Sequence, residues 1–210
     1  VVVEKSGVLN LGVEGMMVIG ALSGFAVTLQ TGSFTLGILA AMIGGALMAL
    51  LFAFMTQSLM ANQVATGLAL TLFGLGLSAL LGQGFSGQSV PNLPGLDIPL
   101  LSDIPVIGAM FFQFDILVYG SMVLVAVTTW FFAKTRTGLI IKAIGDNHDA
   151  AHSIGYNVVA FRYMTLMFGG ACAGVGGAYL SLAQTPLWVE NMTAGRGWIA
   201  LALVVFGTWH

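Results

Sequence analysis

One long apolar stretch, residues 116–133, shows how this chain folds. It reads ILVYGSMVLVAVTTWFFA and contains no charged side chain. A helix of these 18 residues is about 27 Å long at 1.5 Å per residue, close to the roughly 30 Å hydrocarbon core of a bilayer. Because the stretch is apolar on every face, it does not fit the alternating pattern of a transmembrane barrel strand. It therefore predicts a membrane-spanning helix.

Five other stretches of the chain have the same character. No Asp, Glu, Lys or Arg lies between Glu14 and Asp97, which at about 20 residues per crossing leaves room for three spans. The sequence therefore predicts an all-α, polytopic transmembrane helical bundle that forms a single domain over residues 1–210. We expect about six spans, at residues 15–29, 36–55, 64–81, 116–133, 163–183 and 197–209.

The composition supports a membrane protein and excludes several other classes. Of the 210 residues, 58% are hydrophobic and 7% are charged, whereas a soluble domain carries about 25% charged residues. Six cations against eight acids, with no basic run, leave no surface for binding nucleic acid. The single cysteine, Cys172, can form no intrachain disulfide. Since the chain begins at Val1 and ends at His210 directly after an apolar run, we expect both ends to be cut from a longer protein.

Two long polar loops differ in charge and so orient the bundle. The first, residues 83–115, holds three acids and no Lys or Arg. The second, residues 134–162, holds four of the six cations in the chain. By the positive-inside rule we predict that the first loop is external and the second is cytoplasmic. Counting spans from these loops places the N-terminal segment and residues 56–63 inside, and residues 30–35 and 184–196 outside.

Small residues cluster in the run 169–177, which contains five glycines. Gly170 and Gly174 have the spacing that lets two helix backbones approach closely in lipid. We interpret the run as packing between helices of this chain, in preference to a dimerisation face or a nucleotide-binding loop.

The segment before the first span, residues 4–15, is polar and rich in glycine for its position. It contains Asn10, Glu14 and glycines at positions 7, 12 and 15. Each glycine disfavours a helix by about 1 kcal/mol, and an acid at membrane depth costs about 2.5–3.5 kcal/mol. We therefore predict a broken or re-entrant helix that lines a water-filled path, with Asn10 nearest to the substrate. The alternative is a cytoplasmic turn in which Glu14 faces water at a helix start, where the helix dipole favours an acid.

A short helix is predicted within the cytoplasmic loop, at residues 148–154. Asp146 or Asn147 can cap its start, and Gly155 can end it in the left-handed conformation. The two alanines between these caps favour a helix. A capped helix can sit in a groove of a partner protein and move as one unit. The alternative is an interfacial loop that happens to be helical.

The sequence offers no catalytic or metal-binding motif. It has no phosphate-binding Gly-x-x-x-x-Gly-Lys-Ser/Thr loop, so we expect no ATP hydrolysis by the chain itself. His148 and His152 have the i, i+4 spacing of a zinc site but lack its glutamate. No Gly-x-Ser-x-Gly motif points to a hydrolase. We therefore predict that the chain is not an enzyme and that it uses no metal or other cofactor.

Three segments resemble a known family of transport proteins. Residues 4–17, reading EKSGVLNLGVEGMM, resemble the signature of ABC-importer permeases of the simple-sugar and nucleoside group, within the branched-chain amino acid and ribose permease superfamily. Residues 137–155 resemble the cytoplasmic coupling loop of these permeases, and residues 195–207 resemble the Gly-rich segment after their external loop. Thr71 stands where this family frequently has Asn, so Asn62 is the better candidate for a polar role.

The resemblance implies a function and a set of partners. It predicts the membrane-spanning permease subunit of an ATP-driven ABC importer, which carries a nucleoside or simple sugar across the plasma (inner) membrane of a bacterium or archaeon by alternating access. The implied partners are ABC ATPase subunits, a second permease subunit of the same or another kind, an extracytoplasmic substrate-binding protein and the lipid bilayer. Three alternatives stay open: a branched-chain amino acid permease of the same superfamily, a secondary transporter driven by an ion gradient, and a channel or structural membrane protein.

Two groups of residues are predicted to carry this function. The first lines the substrate path and comprises Gly7, Asn10, Gly12, Glu14, Asn62, Trp188, Glu190 and Asn191. The second couples the chain to the ATPase and comprises Gly145, Asp146, Asn147, His148, Ala150, Ala151, Ile154 and Gly155. For Trp188 the alternative is an anchor at the membrane interface, which is the common role of a Trp at the end of a span.

Overall fold

The structure, a computed structural model, describes residues 1–95 and 114–208. Most of the predicted external loop, including Asp97, Pro99, Asp103 and Pro105, lies outside the described residues. In the described ranges the chain is helical and forms no β-strand, only isolated bridges between Ser89 and Leu187 and between Gly95 and Asp115. The predicted all-α class is therefore confirmed.

Short breaks divide the described chain into helices. They are α1 (Val2–Lys5), α2 (Val13–Thr31), α3 (Phe34–Ala53), α4 (Gln63–Gly82), α5 (Ile116–Lys134), α6 (Arg136–Asp146), α7 (His148–Ser153), α8 (Val158–Tyr179) and α9 (Arg196–Thr208). A π-helical turn continues α3 over Phe54–Ser58, and another continues α8 over Leu180–Gln184.

Five of these helices are long and apolar enough to cross a membrane. They are α2, α3, α4, α5 and α8, with the turns that extend them, and each matches a predicted span. The sixth predicted span, residues 197–209, coincides with α9, whose 13 described residues fall short of the roughly 20 that a crossing needs. The described part of the chain therefore has five spanning helices and one shorter apolar helix.

Helices α2, α3 and α8 form the centre of the bundle, and glycines let them touch. A side chain at Gly20 of α2 would overlap the backbone of Gly174 in α8. A side chain at Gly45 of α3 would overlap the carbonyl oxygen of Gly170, one turn earlier in α8. Close backbone approach of this kind increases van der Waals contact between helices in lipid. The interpretation of run 169–177 as packing within the chain is confirmed.

The two ends of the bundle are distinct. At one end, here called the basic end, the N-terminal segment, the turn after α3, helices α6 and α7 and the start of α8 meet. The Ser58 hydroxyl lies 2.6 Å from the Tyr163 hydroxyl there. At the opposite end, the ring of Phe25 packs against Phe85 and Trp188, at centroid distances of 6.3 and 6.5 Å. The described loops up to Trp188 therefore alternate between the two ends in the order that the span count predicts.

The outer surface of the bundle is apolar. Large aliphatic side chains such as Ile43, Leu72 and Val125 are exposed, and α5 contributes no buried residue. A soluble protein rarely leaves contiguous apolar surface of this extent in water, whereas hydrocarbon chains cover it at no cost. The surface therefore fits a lipid environment.

We predict that the basic end faces the cytoplasm. Single cysteines would be introduced at Gly95 and at His148 after Cys172 has been replaced by Ala. A membrane-impermeant thiol reagent is expected to label the Gly95 site in intact cells, and the His148 site only after permeabilisation, because the cations of residues 134–162 stay inside. Labelling of the His148 site in intact cells would reverse this orientation.

Candidate functional site

The opening segment is a broken helix, as predicted. Helix α1 ends at Lys5 and α2 begins at Val13, so the backbone between them is not helical. Gly7 has a φ of +77°, a left-handed conformation that a glycine adopts without strain. Whether this segment lines a substrate path stays a prediction.

The side chain of Asn10 stabilises the turn between the non-helical residues and the start of α2. Its side-chain oxygen accepts a hydrogen bond from the backbone N–H of Gly12 at 2.9 Å, and its amide nitrogen lies 3.4 Å from the sulfur of Met16. The residue is only 2% exposed. It borders a cavity of about 350 Å³ between the N-terminal segment, α5, α8 and α9. The side chain therefore has a structural task besides any contact with substrate.

Glu14 is buried, and two backbone N–H groups from the far end of the chain bind its carboxylate. Its Oε1 accepts from Gly195 at 2.9 Å, and its Oε2 accepts from Gly197 at 2.7 Å. These donors lie at the start of α9, where the positive end of the helix dipole stabilises an anion. Glu14 is 3% exposed, so it does not face water as the alternative interpretation proposed.

This contact shows that the chain turns back into the bundle before α9. Trp188 fills the space beside Gly82 at the opposite end of α4, whereas Gly195 and Thr71 of α4 line one cavity. Gly82 and Thr71 are eleven residues apart, about 16 Å along the helix axis. Gly195 therefore lies nearer the middle of α4 than Trp188 does, and the external location of residues 184–196 stays a prediction.

Trp188 is a core residue of the opposite end. It is 3% exposed and belongs to a cluster of buried apolar residues that includes Phe25 and Leu182. An anchor at the membrane interface would leave the indole at the surface. Both sequence interpretations of Trp188, a path residue and an interface anchor, therefore miss its packing role.

A cavity of about 390 Å³ lies beside Glu14 between α4 and the start of α9. Its polar residues are Glu14, Thr71 and Asn191, and the ring of Trp198 forms part of its wall. An aromatic side chain next to a few hydrogen-bonding groups suits a sugar or a nucleobase. Sequence reasoning missed Trp198, although it lies within the Gly-rich segment 195–207 that carried part of the family resemblance.

The other predicted path residues lie elsewhere. The side-chain oxygen of Asn62 caps α4 by accepting from Val64 and Ala65 at 3.0 and 3.1 Å, at the basic end. Gly12 packs against Leu70, and Glu190 is exposed. The cavity beside Glu14 therefore brings together only Glu14 and Asn191 of the predicted path set.

The predicted helix in the basic loop is present as α7. The side chain of Asn147 caps its start by accepting from the N–H of Ala150 at 3.0 Å, and Gly155 follows its end with a φ of +97°. Of its two alanines, Ala150 is exposed, whereas Ala151 is buried against Ile144 and Val158. The capped helix is confirmed, and its contact with an ATPase stays a prediction.

The structure divides the predicted coupling residues into one buried residue and seven exposed residues. Ala151 anchors α7 to the bundle, so it is unavailable for a partner. The remaining members are exposed, with Ile154 at 76% the most exposed apolar side chain among them. They are Gly145, Asp146, Asn147, His148, Ala150, Ile154 and Gly155.

A polar cluster at the basic end escaped the sequence analysis. The guanidinium of Arg162 donates to the carbonyl of Ser6 and to the side-chain oxygen of Gln57, both at 3.3 Å. The Thr165 hydroxyl donates to the Ser6 hydroxyl at 3.1 Å. The cluster ties the opening segment to α8 and to the turn after α3. Arg162 was visible in the sequence only as a topology-determining charge, because its partners are more than 100 residues away.

Comparisons with known proteins identify transport proteins as relatives. The family model described as "Branched-chain amino acid transport system / permease component" matches residues 1–210. A Haloferax volcanii protein provisionally named as a glucose ABC transporter permease is 43% identical over 99% of this chain and 64% of its own length. A nucleoside ABC transporter permease of Lactococcus lactis is 37% identical, and a guanosine ABC transporter permease of Bacillus subtilis is 35% identical, each over 99% of this chain and 69% of its own length.

The chain spans about two thirds of the length of these relatives. No solved structure gives a significant match to it. The relatives and the apolar helices together show a multi-pass membrane protein.

We predict that Glu14→Gln destabilises the protein. A glutamine has one acceptor oxygen, so either Gly195 or Gly197 would lose its partner and face an NH₂ group instead. A buried donor without a partner costs about 1–3 kcal/mol of the free energy of unfolding. The readout is the apparent melting temperature in detergent, with Glu190→Gln at an exposed position as the matched control. Equal melting temperatures for the two variants would show that the Glu14 contact contributes nothing to stability.

Proposed function

Because the chain belongs to the family of branched-chain amino acid transport system permease components, we propose that it is the membrane-spanning permease subunit of an ATP-driven ABC importer. The match of the family model to all 210 residues carries this proposal. As a permease subunit the chain is not itself an enzyme. Hydrolysis of ATP belongs to a separate ATPase, and the spans alternate in opening a path to each side of the membrane.

The geometry of the basic end supports a docking role for α7. The helix is capped at its start, anchored through Ala151 and otherwise exposed, so it can enter a groove without unfolding. A rigid element can transmit the displacement of an ATPase, whereas a flexible loop would absorb it. In this proposal the ATPase contacts His148, Ala150 and Ile154.

The complete transporter contains more than this chain. We propose two ATPase subunits, a second permease subunit that is identical or homologous, and an extracytoplasmic binding protein that delivers the substrate. The relatives come from the prokaryotes Haloferax volcanii, Lactococcus lactis and Bacillus subtilis, which fits the plasma membrane of a prokaryotic cell.

We propose a nucleoside or a simple sugar as the substrate. Three relatives are named for glucose, nucleoside and guanosine transport. The cavity beside Glu14 supports this choice, since Trp198 lines it beside the amide of Asn191 and the hydroxyl of Thr71, which also donates to the Leu11 carbonyl at 3.2 Å. An amino acid zwitterion needs a partner for each charge. Glu14 is the one charged residue among the described residues that line this cavity, and two N–H groups already bind its carboxylate.

Transport assays in proteoliposomes test this function. The subunit is expressed with its partners, and ATP-dependent uptake of radiolabelled guanosine, glucose and leucine is compared. We expect uptake of guanosine or glucose that disappears when the phosphate-binding lysine of the ATPase is replaced. Uptake of leucine alone would favour the amino acid alternative. Uptake that follows an imposed ion gradient without ATP would favour a secondary transporter.

We predict that Ile154→Asp weakens binding of the ATPase. Ile154 is 76% exposed, so a charge there leaves the bundle intact but places an ion in the proposed docking groove. The measurement is the amount of ATPase that co-purifies with the subunit, which we expect to fall at least about 10-fold, equivalent to about 1.4 kcal/mol. Leu187→Asp is the matched control, because Leu187 is also exposed but lies at the opposite end. Equal co-purification for both variants would remove α7 from the docking surface.

A further inference from the structure

The end of α6 and the opening segment are in direct backbone contact. A side chain at Gly145 would overlap the carbonyl oxygen of Lys5 and lie 3.1 Å from the nitrogen of Gly7. In the other direction, a side chain at Gly7 would lie 3.2 Å from the Cα of Gly145. Two glycines therefore face each other with no side chain between the two segments.

Gly145 is also closely connected to α7. It precedes the capping residue Asn147 by two positions. Directly before it, Ile144 is buried in the small core that holds Ala151 of α7 and Val158 of α8. Because protein interiors are close-packed, a displacement of α7 must move Ile144 and with it Gly145.

A second contact holds the same part of the opening segment. Arg162 of α8 binds the carbonyl of Ser6, and Thr165 binds its hydroxyl. The other arm of the Arg162 guanidinium binds Gln57 in the turn after α3. Residues 5–7 are thus fixed between the α6 end on one side and α3 and α8 on the other.

At its far end the opening segment leads to Glu14. Val8 and Asn10 are buried, and the Asn10 side chain braces the turn into α2. Glu14 then binds Gly195 and Gly197 at the start of α9, beside the cavity that we propose for substrate. A continuous set of contacts therefore runs from α7 to this cavity: apolar packing of Ala151 on Ile144, backbone contact at Gly145, and hydrogen bonds from there to the start of α9.

We propose that residues 5–14 act as a strut that transmits movement of α7 to the start of α9, with Gly145 and Arg162 as its positioning residues. This proposal rests on the function proposed above. When the ATPase displaces α7, Gly145 shifts the Lys5 and Gly7 backbone, and the braced turn passes the shift to Glu14. The carboxylate carries Gly195 and Gly197 with it, which changes the width of the cavity between α4 and α9.

The decisive measurement is the number of substrate molecules taken up per ATP hydrolysed by the reconstituted transporter. Gly145→Ala pushes the Lys5 carbonyl away from α6, although alanine is the better helix former. We expect uptake per ATP to fall by about 2-fold to 30-fold, the range for substitutions along coupling networks, while the ATPase still co-purifies. Gly76→Ala is the matched control, because a side chain at this helical position meets nothing within 4 Å.

Arg162→Lys is the second variant. It keeps the positive charge but cannot bind Ser6 and Gln57 with one planar fork, so uptake per ATP is expected to fall in the same range. A wild-type ratio in both variants would overturn the strut. Loss of ATPase co-purification would also overturn the strut, because it would assign Gly145 and Arg162 to the docking surface. Failure of both variants to accumulate would overturn it as well, because it would assign these residues to folding. If no ATPase co-purifies with the wild-type subunit, the proposed function itself fails, which is a separate result.

Discussion

The burial of one carboxylate organises the described structure. Glu14 lies at the start of α2 inside an apolar bundle, where an unpaired charge would be very costly. The structure supplies two N–H donors from the start of α9, one for each oxygen. Gly197 has to be a glycine, since a side chain there would lie 2.7 Å from the Glu14 carboxylate and 2.9 Å from its Cα. Through this contact the start of α9 lies beside Glu14, and the cavity lies between it and α4.

Backbone contact at glycines is the second constraint. Helices α2, α3 and α8 can approach closely because Gly20, Gly45, Gly170 and Gly174 leave no side chain at the crossings. In lipid there is little hydrophobic force between helices, so such packing has to supply most of the association energy. The rigid centre that results holds Glu14 at a fixed depth, and the polar cluster around Arg162 holds the segment before it.

The two regions with proposed functions lie at different levels of the bundle. Helix α7 is exposed at the basic end, whereas the cavity lined by Glu14, Asn191 and Trp198 lies beside the middle of α4. In a transporter these tasks must be separate, because the ATPase works in water and the substrate crosses lipid. The opening segment contacts the end of α6, the helix that precedes α7, and it includes Glu14, which lines this cavity. Its glycines and its buried polar side chains fit this position better than they fit a lipid-facing helix.

The sequence by itself determined the helices, because their signals are local. Apolar runs predicted all five spanning helices, and Asn147 and Gly155 predicted the ends of α7, since a cap depends only on residues within one turn. Glycine density predicted the break before α2 and the packing role of run 169–177. The tertiary structure alone decided the partners of Glu14 and Arg162, the burial of Trp188 and Ala151, and the cavity wall formed by Trp198. Ala151 is buried by Ile144 and Val158, which are close in the chain, but the sequence does not show which face of α7 packs on them. The others depend on residues that are distant in the chain, and a single sequence carries no record of which distant backbone N–H will meet a buried carboxylate.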